Sequence, residues 1–408
     1  MDYKQKSFIA TGQILKAYTD ETRPGPWVVA WSGGKDSSVT LSELFKSLLL
    51  LKNSKPESLT REIYLTTAQT HLDFVTDPLK QSELIKIKKL IDHHKLPVKI
   101  VEVSSPIEKS FMYLVLGRGY PLPKSRMNRW CTERLKIEPS QKEHKAIKPA
   151  LTVTGVRLSE SAERRNNIEN RQVSEYFSAN EFMPIVNFTL DDVWSYLVRE
   201  GMAWGDAEAL GQLYKEATGE CGLRQRKAGS GEKNDDPCGA RTGCIICPVV
   251  TIDKSSQEFA KHNPWLQPYV GLRNLMIQMY KDPRNKAGRK RDGTVLEYGH
   301  GTFTVKARMR LYEAVRQAEQ ENEELARMHG VEPQKLIYSK ELDELIHRQW
   351  EEDLRECPWV EDAAEVGRFY ETKIRGLQVG YQLVWNYLYD TSEPIEQIKK
   401  PDLCQVND

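Results

Sequence analysis

The sequence contains no apolar stretch long enough to cross a membrane. Uninterrupted apolar runs such as Leu48–Leu51 fall far short of the ~18–20 residues that a membrane-spanning helix needs. The N-terminus has no charged-then-apolar segment of the kind that directs export, and no internal repeat or low-complexity tract is evident. We therefore expect a globular cytoplasmic protein without a membrane partner.

The sequence also lacks the even set of cysteines that a disulfide framework requires. Its cysteines number seven, and an odd count in a chain without an export signal argues against structural disulfides. In a reducing compartment, cysteines that are closely spaced in the sequence more often bind metal or take part in catalysis.

An excess of charge of one sign is absent, because 59 Lys+Arg nearly balance 58 Asp+Glu. Net charge therefore gives no argument for a nucleic-acid partner. Individual segments are not balanced in charge. Residues 271–310 carry ten basic and three acidic side chains, and residues 311–370 carry seven basic and sixteen acidic ones. The acidic stretch is typical of a solvated helix face. The basic stretch is typical either of a phosphate-contacting segment or of a solvated turn, and its central cations are Lys281, Arg284, Lys286, Arg289, Lys290 and Arg291.

Short apolar strands alternate with longer amphipathic segments over residues 1–205, a pattern that predicts an α/β domain with a doubly wound, mostly parallel sheet. Residues 206–260 are rich in glycine and cysteine and predict a loop-rich insert. Residues 261–408 predict a mainly helical C-terminal region. Strands are expected at 26–31, 61–67, 97–103, 150–156 and 182–188, with helices at about 77–95 and after Thr189.

A glycine-rich loop follows the first predicted strand and opens a helix. It comprises Ser32, Gly33, Gly34, Lys35, Asp36, Ser37 and Ser38. Backbone N–H groups and the positive end of a helix dipole can hold an anion in such a loop. The serine hydroxyls add donors and Lys35 adds a point charge. The spacing differs from that of a Walker loop.

A second cluster of anion-binding residues follows the predicted strand at 150–156. It runs from Gly155 to Arg165 and includes Arg157 and Arg164. Ligands of open α/β sheets bind at the carboxyl ends of strands, so both arginines are expected near the glycine-rich loop. A surface run of salt bridges is the alternative.

Five cysteines have the spacing of a metal or iron–sulfur site. Cys244 and Cys247 form a Cys-x-x-Cys pair, Cys238 and Cys221 precede it, and Cys131 lies in a Trp-Cys-Thr-Glu-Arg run. In a reducing compartment such spacing favours an iron–sulfur cluster or zinc, although Cys131 taken alone is typical of a buried small hydrophobic residue.

The loop Ser-Gly-Gly-Lys-Asp-Ser resembles the PP-loop signature of the ATP pyrophosphatase superfamily, whose fold is adenine nucleotide alpha hydrolase-like. This resemblance implies that ATP is bound and cleaved between its α and β phosphates. It implies that Lys35 and the loop glycines and serines hold pyrophosphate and that Asp36 lies near Mg²⁺. Relatives often carry an acidic residue after the second strand, where this chain has Ala68-Gln69-Thr70.

Together, the loop, the Trp130-Cys131-Thr132-Glu133 run, the Arg157 cluster and the Cys-x-x-Cys pair resemble the branch that includes phosphoadenylylsulfate reductases. Within that branch they are most similar to the DndC-type sulfurtransferases of DNA phosphorothioation. This resemblance implies a [4Fe–4S] cluster on Cys131, Cys238, Cys244 and Cys247. Cys221 is then left to carry persulfide sulfur or to replace Cys238 as a ligand.

The resulting hypothesis is an ATP-dependent enzyme that adenylates a DNA backbone phosphate oxygen and replaces it with sulfur. Lys35, Asp36, Arg157, Arg164 and Cys221 would be catalytic. Its partners would be DNA, a cysteine desulfurase as sulfur donor and other phosphorothioation-system proteins. The alternatives are a phosphoadenylylsulfate or adenylylsulfate reductase, a non-catalytic nucleotide-binding scaffold of a DNA-modification or defence complex and, more remotely, a tRNA thiolase.

Overall fold

The computed structural model describes residues 1–123, 128–160, 174, 176–178, 180–218, 243–250, 252–290, 292–294, 296 and 300–356. Contacts divide the chain into two compact units. The first comprises residues 1–105, 132–244 and 253–262, and the second comprises 106–131, 245–252 and 263–408. The predicted domain boundaries at 205 and 260 stay predictions. None of the described helices is both long and apolar enough for a membrane span.

The first unit is built on a six-stranded sheet in the order β3-β2-β1-β4-β6-β5. The five strands from β3 to β6 are parallel, and β5 runs antiparallel at the edge. This arrangement confirms the predicted α/β class. The strands are β1 Trp27–Ala30, β2 Ile63–Gln69, β3 Val98–Ser104, β4 Leu151–Val153, β5 Phe177–Ser178 and β6 Glu181–Phe182.

Seven helices of eight or more residues accompany this sheet in the described part of the first unit. They are α1 Tyr3–Tyr18, α2 Lys35–Ser54, α3 Asp77–His94, α4 Glu138–Ile147, α5 Leu190–Arg199, α6 Glu208–Thr218 and α7 Lys254–His262. Apolar residues of α2 at three- and four-residue spacing, Leu41, Leu44, Phe45 and Leu48, are almost fully buried. Since Trp27 and Val29 of β1 share their core cluster, burial of this stripe holds α2 on the sheet.

The chain order in the sheet reverses at β1. The chain moves outward from β1 to β2 and β3 and then returns to pair β4 with the other side of β1. Such a reversal opens a crevice outside the carboxyl ends of the two central strands. The glycine-rich loop follows β1 and the Gly155–Arg157 segment follows β4, so the topology brings the two predicted anion-binding segments to this crevice.

The strand predicted at 182–188 is wrong in extent, because β6 ends at Phe182 and residues 184–187 form turns. Pro184 has no N–H group and cannot donate to a sheet ladder. The helix predicted after Thr189 is confirmed as α5. Its capping box joins the Thr189 side chain to the N–H of Asp192, and the Asp192 side chain to the N–H of Thr189.

In the second unit, the described helices of eight or more residues are α8 Gln267–Lys281, α9 Val305–Met328 and α10 Lys340–Glu356. This confirms helical structure in the described part of the predicted C-terminal region, of which residues 357–408 lie outside the described residues. Arg308 and Asp353 join α9 to α10 through a 2.8 Å ion pair in which neither side chain is exposed. The Trp350 indole donates to the carbonyl of Leu116, in the π-helical turn Tyr113–Gly117.

Candidate nucleotide site

The loop between β1 and α2 has the backbone of an anion-binding turn. Gly33 has a φ of +76°, a backbone conformation that residues other than glycine rarely adopt. Gly34 is the N-cap of α2 and has no side chain to bond to the first-turn N–H groups. The loop thus presents glycine backbone and the positive end of a 20-residue helix at the crevice.

The three predicted serines have different local roles. The Ser37 hydroxyl lies 3.0 Å from the carbonyl oxygen of Gly34 and 3.1 Å from the Ser32 hydroxyl, so this pair fixes the shape of the loop. Ser38 is buried and accepts a hydrogen bond from the Trp31 indole at 3.2 Å. Ser38 therefore anchors the loop to the end of β1.

The structure brings together Lys35, Asp36 and Arg157, which the sequence placed in one site. Arg157 Nε donates to one carboxylate oxygen of Asp36 at 2.7 Å, and Lys35 Nζ lies 3.1 Å from the other. Arg157 also donates to Ser159 at 2.9 Å. A Cβ added to Gly155 would lie only 3.0 Å from backbone atoms of Asp36, so the two segments pack backbone to backbone.

This arrangement bears on the metal predicted beside Asp36. Both of its carboxylate oxygens already contact a cation, and Mg²⁺ would have to share one of them with Lys35 or Arg157. An Mg²⁺ ion at Asp36 therefore stays a prediction. Arg164, the other arginine of the cluster, lies outside the described residues.

Lys80 of α3 also touches the loop, although the sequence motifs did not point to it. Its aliphatic carbons would lie 3.3–3.6 Å from a Cβ on Gly33. Its ammonium donates to the carbonyl of Ala68 at 2.9 Å and to Asp77 at 2.7 Å. The helical pattern did contain a signal, since Lys80 lies four and seven positions before Leu84 and Ile87 on the buried face. A buried charge on an apolar face requires a partner.

Polar atoms with unused bonding capacity lie at the end of β2. Thr67 Oγ1, Gln69 Oε1 and Asp73 Oδ1 are buried and have no hydrogen-bond partner in the described structure. Thr67 and Gln69 lie on one face of the strand because side chains alternate. Burial raises the pKa of Asp77 above its usual value, and the attraction of Lys80 offsets part of the rise. These groups make the crevice polar beside the loop.

The charge of Cys244 acts on Lys136, a residue that lies beside Asp73. Partial removal from water lowers the pKa of Lys136, but the negative charges of Asp73, Cys244 and Asp77 outweigh this effect and raise it. Lys136 Nζ lies 3.5 Å from Asp73. A nearby ammonium favours the thiolate form of a cysteine, which is the reactive and metal-binding form.

Two further predicted ligands belong to the second unit, where both are half-buried. Cys131 follows Trp130, whose ring stacks on Phe111 at a centroid distance of 5.3 Å. The carbonyl of Cys247 accepts a 2.8 Å hydrogen bond from the buried guanidinium of Arg273. Packing thus fixes the backbone near both cysteines.

Cys221 and Cys238 lie outside the described residues. Within the described ranges, no group of three or more His, Cys, Asp and Glu side chains is arranged to hold a metal ion. The predicted cluster needs four thiolates and has Cys238 among them, so the described donor set is incomplete. The iron–sulfur cluster and its zinc alternative both stay predictions.

Part of the basic stretch at 281–291 is engaged within the protein. Arg284 pairs with Asp282 at 2.9 Å. Lys286 is buried, and its ammonium lies 3.0 Å from the centre of the Tyr280 ring and 4.6 Å from that of Phe303. These two cations therefore already have partners within the second unit, which weakens the argument that the whole stretch contacts phosphate.

Comparison with known proteins places these observations in a family context. Residues 26–205 match the family model of the phosphoadenosine phosphosulfate reductase domain. An uncharacterized protein of Methanocaldococcus jannaschii is 28% identical over 278 residues, which are 65% of this chain and 46% of that protein. The chain therefore spans about half the length of that relative.

Among solved structures, the chain is similar to the phosphate complex of phosphoadenylyl-sulfate reductase from Candida auris. The TM-score is 0.30 with 14% identity, over 47% of this chain and 80% of that chain. None of these matches tests the finer resemblance to DNA phosphorothioation enzymes. Residues 26–205 are thus similar to the phosphoadenosine phosphosulfate reductase domain.

Proposed function

We propose that this protein is an ATP-dependent sulfurtransferase that converts a DNA backbone phosphate to a phosphorothioate. One observation supports the proposal: polar contacts link the glycine-rich loop of residues 32–38, the proposed phosphate loop, to Lys136, whose charge interacts with that of Cys244. Lys80 packs on Gly33 and binds Asp77, while Asp73 lies next to Lys136, whose charge interacts with Cys244. A nucleotide and a sulfur-handling segment at one edge are what such a transfer needs.

In the first step, a non-bridging oxygen of the DNA phosphate attacks the α-phosphorus of ATP. A P–O bond forms to AMP, the bond between the α and β phosphates breaks, and pyrophosphate leaves. Lys35, Arg157 and the loop N–H groups neutralise the charge that develops on the phosphates, so catalysis consists mainly of positioning and electrostatic stabilisation. In this proposal the nucleotide that binds in the crevice is ATP.

In the second step, a persulfide on a cysteine attacks the activated DNA phosphorus. A P–S bond forms, and the P–O bond to AMP breaks. A second thiol then attacks the persulfide's inner sulfur, which releases the phosphorothioate and leaves a disulfide that an external thiol reduces. A cysteine desulfurase supplies the sulfane sulfur, and Cys221 is the proposed carrier. Cys131, Cys238, Cys244 and Cys247 would hold a [4Fe–4S] cluster, which supplies electron transfer or sulfide binding when present.

The second candidate is a sulfonucleotide reductase, and the match of residues 26–205 to the reductase domain favours it. Here phosphoadenylylsulfate or adenylylsulfate is the substrate, and a thiol reduces its sulfate group to sulfite. The same loop and Arg157 would hold the nucleotide phosphates. The products separate the two candidates, because only the transferase releases pyrophosphate from ATP.

The deciding experiment incubates the full chain with labelled ATP, DNA, cysteine and a cysteine desulfurase. We expect pyrophosphate and DNA phosphorothioate from the wild type and a loss of at least 100-fold in Lys35→Ala, because the loop loses its point charge. Lys88→Ala, which removes an exposed lysine of α3, is the matched control and should keep activity. Sulfite from a sulfonucleotide, without pyrophosphate from ATP, would overturn the proposal.

A further inference from the structure

Tyr214 of α6 reaches the phosphate loop from a distant part of the chain. Its hydroxyl oxygen accepts a hydrogen bond from the backbone N–H of Lys35 at 3.4 Å. The same oxygen would lie 3.5 Å from a Cβ on Gly34. Tyr214 is 6% exposed, so its hydroxyl is held against the first residue of α2.

Contacts with Trp194 and Lys35 help to fix the Tyr214 ring. It packs edge-on against Trp194 of α5, with the ring centroids 5.2 Å apart and an interplanar angle of 82°. The ammonium of Lys35 lies 5.1 Å from the Tyr214 ring centroid, within the range of a cation–π interaction. Both the backbone and the side chain of Lys35 are therefore positioned by one aromatic residue.

We infer that the Tyr214 hydroxyl is a phosphate ligand of the loop. A phenolic hydroxyl donates one hydrogen bond and accepts others, so it can accept from Lys35 N–H while it donates to a phosphate oxygen. An anion that binds to the N–H groups at the start of α2 must approach this hydroxyl, because it lies beside Lys35 and Gly34. The inference rests on the proposed function, in which this loop holds the β and γ phosphates of ATP.

The consequence is that α6 belongs to the nucleotide site. The glycine-rich motif supplies backbone donors, and α6 supplies a side-chain hydroxyl donor. Binding then depends on the position of α6 relative to α2. A hydrogen bond to a charged group corresponds to roughly 10- to 100-fold in affinity.

The test is the binding of inorganic pyrophosphate to the full chain, measured by isothermal titration calorimetry. Tyr214→Phe keeps the ring contacts with Trp194 and Lys35 and removes only the hydroxyl. We expect its affinity for pyrophosphate to fall about tenfold, with a thermal unfolding midpoint that falls no further than that of Tyr18→Phe. Tyr18→Phe is the matched control, because it also removes a buried hydroxyl, one that donates to the carbonyl of Arg61 and is remote from the loop. Its affinity should stay at the wild-type level.

A folded Tyr214→Phe protein that binds pyrophosphate as tightly as the wild type would overturn the inference and leave the proposed function intact. A wild-type protein that binds neither pyrophosphate nor ATP would contradict the proposed function and, with it, the inference. A second measurement retains the hydroxyl. A protein with 3-fluorotyrosine only at position 214 should give a ¹⁹F resonance that shifts when pyrophosphate is added. An unmoved resonance at saturating pyrophosphate would also contradict the inference.

Discussion

At the scale of single residues, the glycine-rich loop shows which parts of a site a sequence predicts. Lys35, Asp36 and Arg157 could be predicted together because a motif and the topology of parallel strands both place them at one edge. Lys80 and Tyr214 could not be predicted to contact the loop, because no local sequence pattern indicates that the loop is their partner. Their contacts depend on where α3 and α6 lie in three dimensions, which a single sequence does not encode as spacing.

Glu43 is the clearest case of a residue whose protonation affects stability. It is fully buried in α2 and accepts hydrogen bonds from Ser7 at 2.6 Å and Thr11 at 2.8 Å. Burial raises its pKa above the usual 4.5, although these hydrogen bonds and Lys46 oppose the rise. The folded state therefore holds this proton more tightly than the unfolded state, and ionisation of Glu43 destabilises the fold.

We predict that Glu43 makes the free energy of unfolding fall as pH rises from about 4.5 through the raised pKa. Below pH 4.5 both states are protonated and the contribution is complete. Glu43→Gln should abolish this component, which urea unfolding of both proteins over a pH series can measure. Glu62→Gln is the control of opposite sign, because hydrogen bonds from Lys99 and Tyr64 lower the pKa of Glu62. Parallel curves for wild type and Glu43→Gln would contradict the prediction.

At the scale of elements, the strand–loop–helix unit from Trp27 to Ser54 follows directly from its residues. The pattern is a short apolar run, two glycines and an amphipathic stretch, and few local structures other than strand, loop and helix are compatible with it. The strand predicted at 182–188 is too long. The apolar pattern continues through Pro184, but the hydrogen-bond ladder of the sheet cannot, because proline has no N–H group. Burial of Ile185 and Val186 outside a strand explains why the pattern was misleading.

The α5 capping box gives an element-scale prediction. Thr189→Ala removes the oxygen that accepts from the N–H of Asp192 at 3.2 Å. We expect a loss of about 1 kcal/mol in the free energy of unfolding, the usual contribution of an N-cap. Ser54→Ala, at the exposed end of α2, is a matched control and should change stability by less than about 0.5 kcal/mol. Equal unfolding midpoints in urea for Thr189→Ala and wild type would refute the assignment.

At the scale of the whole molecule, the nearly neutral composition conceals internal pairing. Arg308 and Asp353 neutralise each other out of contact with water, and Lys286 lies between two aromatic rings. Counting charges along the sequence treats such groups as surface charge, so it overestimates the basic surface at 271–310. Burial, which composition does not report, decides which charges a partner can meet.

The cysteines provide the whole-molecule prediction. Anaerobically purified protein should show broad absorbance near about 400 nm, with iron and sulfide in a ratio typical of a [4Fe–4S] cluster. Cys244→Ser should reduce both, because it removes one of four proposed thiolate ligands. Cys357→Ser, which changes a cysteine of the charged C-terminal region, should retain them. Stoichiometric zinc without iron would establish the alternative metal.

The close packing of Gly155 on Asp36 has a mechanical consequence. Since a methyl group on Gly155 would lie only 3.0 Å from backbone atoms of Asp36, a shift of the glycine-rich loop toward the segment after β4 requires that segment to shift as well. We therefore expect the glycine-rich loop and the segment after β4 to move together when an anion binds. The backbone that carries Arg157 would then be displaced with the loop.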